Sequence, residues 1–98
     1  MDSIRNMKIA STFLGREDHG IPTFWLNMVS EGSGQGFGGY DLRFYGIKPL
    51  VRILEVVGVD SWEKLPGSYC RVDGSYSGLK AIGHITDEKW YNLETEGQ

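Results

Sequence analysis

Apolar and polar residues alternate from Met7 to Leu14, with Ile9, Ser11 and Phe13 on one face and Ala10, Thr12 and Leu14 on the other. That period of two predicts a β-strand. Gly15 to Gly20 reads Gly-Arg-Glu-Asp-His-Gly, a polar turn closed by glycine. Ile21 to Ser30, rich in Ile, Phe, Trp and Val, is a second strand, and Pro22 suits its beginning or an edge. Together the two make a hairpin. Tyr40, Leu42 and Phe44 then alternate with Asp41, Arg43 and Tyr45, which predicts a short third strand. After Gly46 the period lengthens: Leu50, Ile53, Leu54 and Val57 form one apolar stripe at helical spacing. Pro49 fits the first turn of that helix and Gly58 its C-terminal stop. Ser61 caps a short turn through Leu65, and Ser68 to Val72 is a fourth strand followed by an Asp73-Gly74 turn signal. Ala81 to Ile85 and Lys89 to Asn92 supply the last strand material.

The predicted order is strand, strand, strand, helix, strand, strand. It gives an α+β fold, a small curled antiparallel sheet of about five strands with one central α-helix, an order also compatible with an OB-like partly open barrel. With 98 residues the chain forms a single domain, here bounded at 7–93, with 1–6 as a flexible N-terminal extension and 94–98 as a polar tail. Residues 1–6 lack the apolar core of a signal peptide, and no apolar run approaches the ~20 residues of a membrane span. The single cysteine, Cys70, excludes an internal disulfide and fits a reducing, cytoplasmic setting. The formal net charge is −3 and Lys and Arg are dispersed, which argues against direct DNA binding.

Between the second and third predicted strands lies Gly32-Ser33-Gly34-Gln35-Gly36-Phe37-Gly38-Gly39, which holds five of the 14 glycines. Glycine is costly to order, so such a run implies positive φ, a sharp turn or a close approach by another group. Gly34 to Gly39 satisfies G-x-G-x-x-G, yet the dinucleotide fingerprint requires a helix directly afterwards, and a strand is predicted instead. Three readings stay open. Successive amides can form an anion nest for phosphate, with Phe37 or Tyr40 stacking on a base. The run can be a contact loop for a protein. Or it is a bent strand covered by Trp25 or Phe44. The candidate binding residues are therefore Gly34, Gln35, Gly36, Phe37, Gly38, Gly39 and Tyr40, with His19 from the first turn. On the two binding readings, valine at Gly36 or Gly38 harms binding before folding.

No catalytic constellation, metal set or cofactor motif stands out. Cys70 reads as a small buried hydrophobe and His84 as a sheet histidine. Glu17, Asp18 and His19 lack zinc spacing. Trp25 is assigned to the core, Trp62 to one end of the helix, and Trp90 to core or interface.

Glu17-Asp18-His19-Gly20-Ile21, the glycine run through Tyr40, Val57 to Gly67 and Ala81-Ile-Gly-His-Ile85 resemble a family of small, mostly uncharacterised bacteriophage proteins. The resemblance spans Met7 to about Tyr91. It implies an accessory phage protein acting in the cytoplasm of an infected bacterium. By analogy of source and size it implies a non-enzymatic inhibitor of host defence that blocks an effector such as a CRISPR nuclease. The alternatives are an oligomeric sponge for a nucleotide immune signal, gripping phosphate with the glycine run, and an enzyme acting on such a nucleotide with His19 or His84 as base.

Overall fold

The computed structural model of the chain describes residues 4–75 and 78–96. It is a small α+β protein dominated by a curled antiparallel sheet. β1 (Ile4–Arg16), β2 (Pro22–Ser30) and β3 (Ser33–Gly38) form a meander. β4 (Tyr69–Ser75), β5 (Gly78–Gly83) and the two-residue β6 (Trp90–Tyr91) follow after the helical segment. The sheet order is β3-β2-β1-β4-β5-β6. It curls until β3 and β5 touch, making a half-barrel. Gln35 of β3 helps hold that closure: its Nε2 donates to the carbonyl of Ser75 at 2.8 Å, and Arg5 of β1 donates to its Oε1.

A β-bulge sets the faces of β1. Pairing with β2 shifts between Ile9 and Ser11, so Ala10 is an extra residue. Met7 and Ile9 point inward, at 1% and 0% exposure, whereas beyond the bulge Thr12 and Leu14 share the inner side with their partners Leu26 and Phe24. Ser11 and Phe13 are thereby turned outward, separated from Ile9, with which strict alternation grouped them. β1 also takes in Ile4, Arg5 and Asn6, read from the sequence as an extension; they pair with Asp73, Val72 and Arg71.

The third strand is the main departure from the expected element order. It is the glycine run itself, Ser33–Gly38, and Tyr40–Tyr45 is not a strand. Asp41 accepts a hydrogen bond from the Arg43 backbone N–H at 2.9 Å and so caps a single helical turn, α1 (Leu42–Tyr45). Asp73-Gly74, read as a turn, sits inside β4, opposite a bulge at Lys80 of β5, with Gly74 at φ +152°.

The principal helix, α2 (Lys48–Val57), forms where its stripe predicts. Pro49 lies in the first turn, and Gly58 closes the end in the left-handed region with its N–H on the Leu54 carbonyl. Ile53 and Val56 are inaccessible to solvent, and Leu50 and Leu54 pack at the margin of the core. Each fully buried side chain of this kind contributes about 1.5–3 kcal/mol. α2 covers β5 and β6. The core beneath it joins Phe24, Leu26 and Met28 of β2 to Phe37, Cys70, Val72, Ile82 and Tyr91. A last turn, α3 (Leu93–Glu96), is fastened to α2 by Arg52, whose Nε and Nη2 donate to both Glu96 oxygens at 2.9 and 3.0 Å. Among the described residues no helix is long and apolar enough to cross a membrane.

Candidate functional site

Register with β2 decides what the glycine strand presents. Leu26 pairs with Phe37 and Met28 with Gln35 on the inner side; Trp25 pairs with Gly38, Asn27 with Gly36 and Val29 with Gly34 on the outer side. Three alternate glycines therefore leave the outer face of β3 without side chains. Trp25 fills part of the space. A β-carbon built on Gly36 would stand 3.0 Å from Cε3 and Cζ3 of that indole, and one on Gly39 would stand 2.5 Å from Cζ2. The ring thus rests on two glycines, and it remains 40% exposed. Covering the rest of an indole stabilises by on the order of 2–4 kcal/mol, and an aromatic laid across glycine is a known way of securing a side-chain-poor strand.

Gly38 is bare for another reason. Its φ is +138°, and a β-carbon there would come within 2.3 Å of the Phe24 carbonyl oxygen. The Gly39 N–H donates to that same carbonyl at 2.7 Å. Gly34 is the open member of the row, where a β-carbon would meet only the Met28 carbonyl oxygen at 3.6 Å.

The remaining sequence-derived candidates are dispersed. Phe37 is 1% exposed, its ring turned into the core 6.4 Å from that of Phe24, so it has no face to offer a base. Tyr40 is half-buried in a chain of tilted and edge-on aromatic contacts linking Phe24, Tyr40, Tyr45 and Phe44. Burial pushes its phenol above the ordinary range, and its carbonyl accepts from the Thr23 hydroxyl at 2.7 Å. Gln35 is engaged in closing the half-barrel. His19 projects from the β1–β2 turn with 80% of its side chain exposed, 3.8 Å from a Glu17 oxygen.

His84 accepts backbone N–H groups of Thr86 and Asp87 on Nδ1, at 3.1 and 3.0 Å, and so anchors the turn after β5. Cys70 is buried beside Met28, with 3.6 Å between the sulfurs, and loss of solvent pushes its thiol up to about 12. Among the described residues no group of three or more His, Cys, Asp or Glu is placed to hold a metal ion.

What the meander does bring together is a largely uncharged face. Ser11, Phe13, Trp25, Asn27, Val29, Gly34, Gly36 and Gly38 point outward from three adjacent strands without an ionisable group, and Lys8, opposite Val29 on β1, puts a cation at one end of the face. Phe13, Trp25 and Val29 expose 41%, 40% and 42% of their surface. Between them Asn27 donates to the Ser11 hydroxyl at 3.1 Å. Phe13 and Trp25 are cross-strand neighbours, and exposed large apolar side chains of this kind are enriched at interaction surfaces. Trp25 was assigned to the core from its aromatic character; the period of Phe24, Leu26 and Met28, with Trp25 one step out of phase, is the signal that turns it outward.

Compared with protein-family models, with curated proteins and with solved structures, the chain matches none.

Proposed function

We propose that the protein works by binding, docking the outer face of β1–β2–β3 onto a partner protein. The observation that carries this reading is that face: exposed Phe13, Trp25 and Val29 beside a glycine strand, with charge only at its Lys8 end. A phosphate-bearing ligand recruits grouped cations to neutralise it, and among the described residues the face carries no such group, only Lys8 at its end beside Val29, which weighs toward a protein and away from a nucleotide signal. The bare row at Gly34 allows a partner's side chain to approach the backbone more closely than an ordinary strand permits.

The architecture supports the same face. β3-β2-β1-β4-β5 order, contact between β3 and β5, and helices between β3 and β4 support reading the half-barrel as OB-like, and OB barrels bind their ligands on the strand 2–3 surface. That likeness is one of fold and raises the weight of the site without naming its occupant. With the resemblance to phage proteins, the partner we infer is a bacterial defence effector of the CRISPR nuclease kind, held inactive by stoichiometric occupation.

Native mass spectrometry of the protein with such a nuclease, and calorimetry with a nucleotide panel, test this. A one-to-one or higher-order complex with the nuclease, weakened by Phe13→Glu, is the expected result. Tight nucleotide binding without a nuclease complex would replace this reading with the sponge, and nucleotide turnover would replace it with an enzyme.

A further inference from the structure

We propose that a second site, a cleft across β2, β1 and β4, binds a small zwitterion with an apolar body: an apolar amino acid or a short apolar peptide with both ends free. The cleft measures about 410 Å³, within the ~300–1,000 Å³ of small-molecule sites. Strand register builds it. Lys8 of β1 pairs with Val29 of β2 on one side and with Tyr69 of β4 on the other, so three outward side chains stand in one row. Val29 and Tyr69, exposed at 42% and 58%, are the apolar walls. The Lys8 ammonium lies over the Tyr69 ring, 6.0 Å from its centroid. Glu31, in the β2–β3 turn, Ser30, Asn6 and Met7 complete the lining.

The charges select the ligand. Lys8 and Glu31 have opposite signs and line one cleft, and among the described residues neither belongs to an ion pair. A carboxylate answers Lys8, an ammonium answers Glu31, and an apolar side chain rests against Val29 or Tyr69, which flank the Lys8 stem. A simple anion meets repulsion from Glu31, a simple cation meets it from Lys8, and a neutral hydrocarbon leaves both charges unanswered. The cleft shares Val29 with the docking face but does not depend on the docking reading, since its chemistry rests on Lys8, Glu31 and Tyr69.

The test is a nuclear magnetic resonance titration of the full chain with four probes. L-leucine and L-leucyl-L-leucine carry both charges, N-acetyl-L-leucine keeps only the carboxylate, and L-leucinamide keeps only the ammonium. The expected result is saturable shifts at Lys8, Val29, Glu31 and Tyr69, with one of the doubly charged probes tightest. Each missing charge should weaken binding roughly 1.4- to fivefold, the equivalent of ~0.2–1 kcal/mol for an exposed ion pair. Lys8→Met should abolish the advantage of L-leucine over L-leucinamide, and Glu31→Gln its advantage over N-acetyl-L-leucine. Both positions are exposed, and an unchanged circular dichroism spectrum verifies the fold of each variant. Absence of saturable shifts with all four probes would overturn the proposal. So would equal binding of all four, or a preference that both variants retain.

Discussion

Alanine at Gly34, Gly36 and Gly38 should give three different stabilities, although the residues share one face of one strand. At Gly38 the added β-carbon would lie 2.3 Å from a backbone oxygen and sit on a φ of +138°. Neither can relax through a side chain. A backbone held in a region L-residues avoid costs about 1–3 kcal/mol, and forced overlap about 1–3 kcal/mol more. A loss of roughly 2–6 kcal/mol is a large part of the ~5–15 kcal/mol that stabilises a domain. Since ~1 kcal/mol moves the midpoint of so small a domain by about 4–8 °C, Gly38→Ala should lower Tm by at least about 8 °C.

At Gly36 the obstacle is the Trp25 ring at 3.0 Å, which can tilt away, so a loss of about 1–2 kcal/mol is expected, with Trp25 more exposed. At Gly34 only an ordinary contact at 3.6 Å is made, and the less flexible unfolded chain should leave Gly34→Ala neutral or stabilised by about 0.4–1 kcal/mol. Thermal unfolding followed by circular dichroism, with tryptophan fluorescence, reads all three. Equal midpoints for Gly34→Ala and Gly38→Ala would refute the register assigned to β3 and the role given to its glycines.

Three further expectations can be checked by the same melts. The Tyr91 hydroxyl is buried, and among the described residues it has no hydrogen-bond partner, so Tyr91→Phe should be at least as stable as the native chain, by up to about 1–3 kcal/mol; a clear loss would mean the hydroxyl is satisfied. Burial raises the Cys70 thiol from 9.0 to about 12 and the Tyr91 phenol from 10.0 to about 12. Both then ionise first in the unfolded chain, so stability should be intact below about pH 9 and fall progressively from there toward pH 12; a Cys70→Ala, Tyr91→Phe double variant should flatten that decline, and an unchanged slope would contradict it. On the acid side, the Arg52 guanidinium holds the Glu96 carboxyl below its ordinary range. Its contribution is present above the usual glutamate pKa and lost as pH falls through the depressed one, so Glu96→Gln should remove part of the acid-limb dependence; identical acid limbs would show that the pair adds nothing.

The first hairpin, α2 and the turn at Trp62 were legible because each carries its own local signal: period two in Ile21–Ser30, the stripe from Leu50 to Val57, and the glycine stop at Gly58. Of the three readings left open for the glycine run, the bent strand covered by Trp25 is the one the structure adopts, with Trp25 and not Phe44 over Gly36 and Gly39; side-chain alternation could not single it out, because its outward positions have no side chains. Its register comes from β2, through pairs such as Leu26 with Phe37. Tyr40 to Tyr45 imitates a strand because Tyr40, Leu42 and Phe44 put apolar residues at every second position, while a single Asp41 side chain diverts the backbone into a helical turn. The bulge at Ala10 left no mark in the sequence and reversed the faces of half of β1. From the run alone, substitution at Gly38 looks like a probe of binding; the Phe24 carbonyl makes it a probe of folding.

The docking face is tested most directly by calorimetric titration of the nuclease effector with the native protein and with Phe13→Glu. Phe13 is 41% exposed and stands beside Trp25 on the outer face, so the carboxylate should spare the fold while meeting the partner. The account expects an unchanged melting midpoint and an affinity at least about tenfold weaker, the equivalent of about 1.4 kcal/mol. A folded Phe13→Glu variant that binds the nuclease as tightly as the native chain would contradict it.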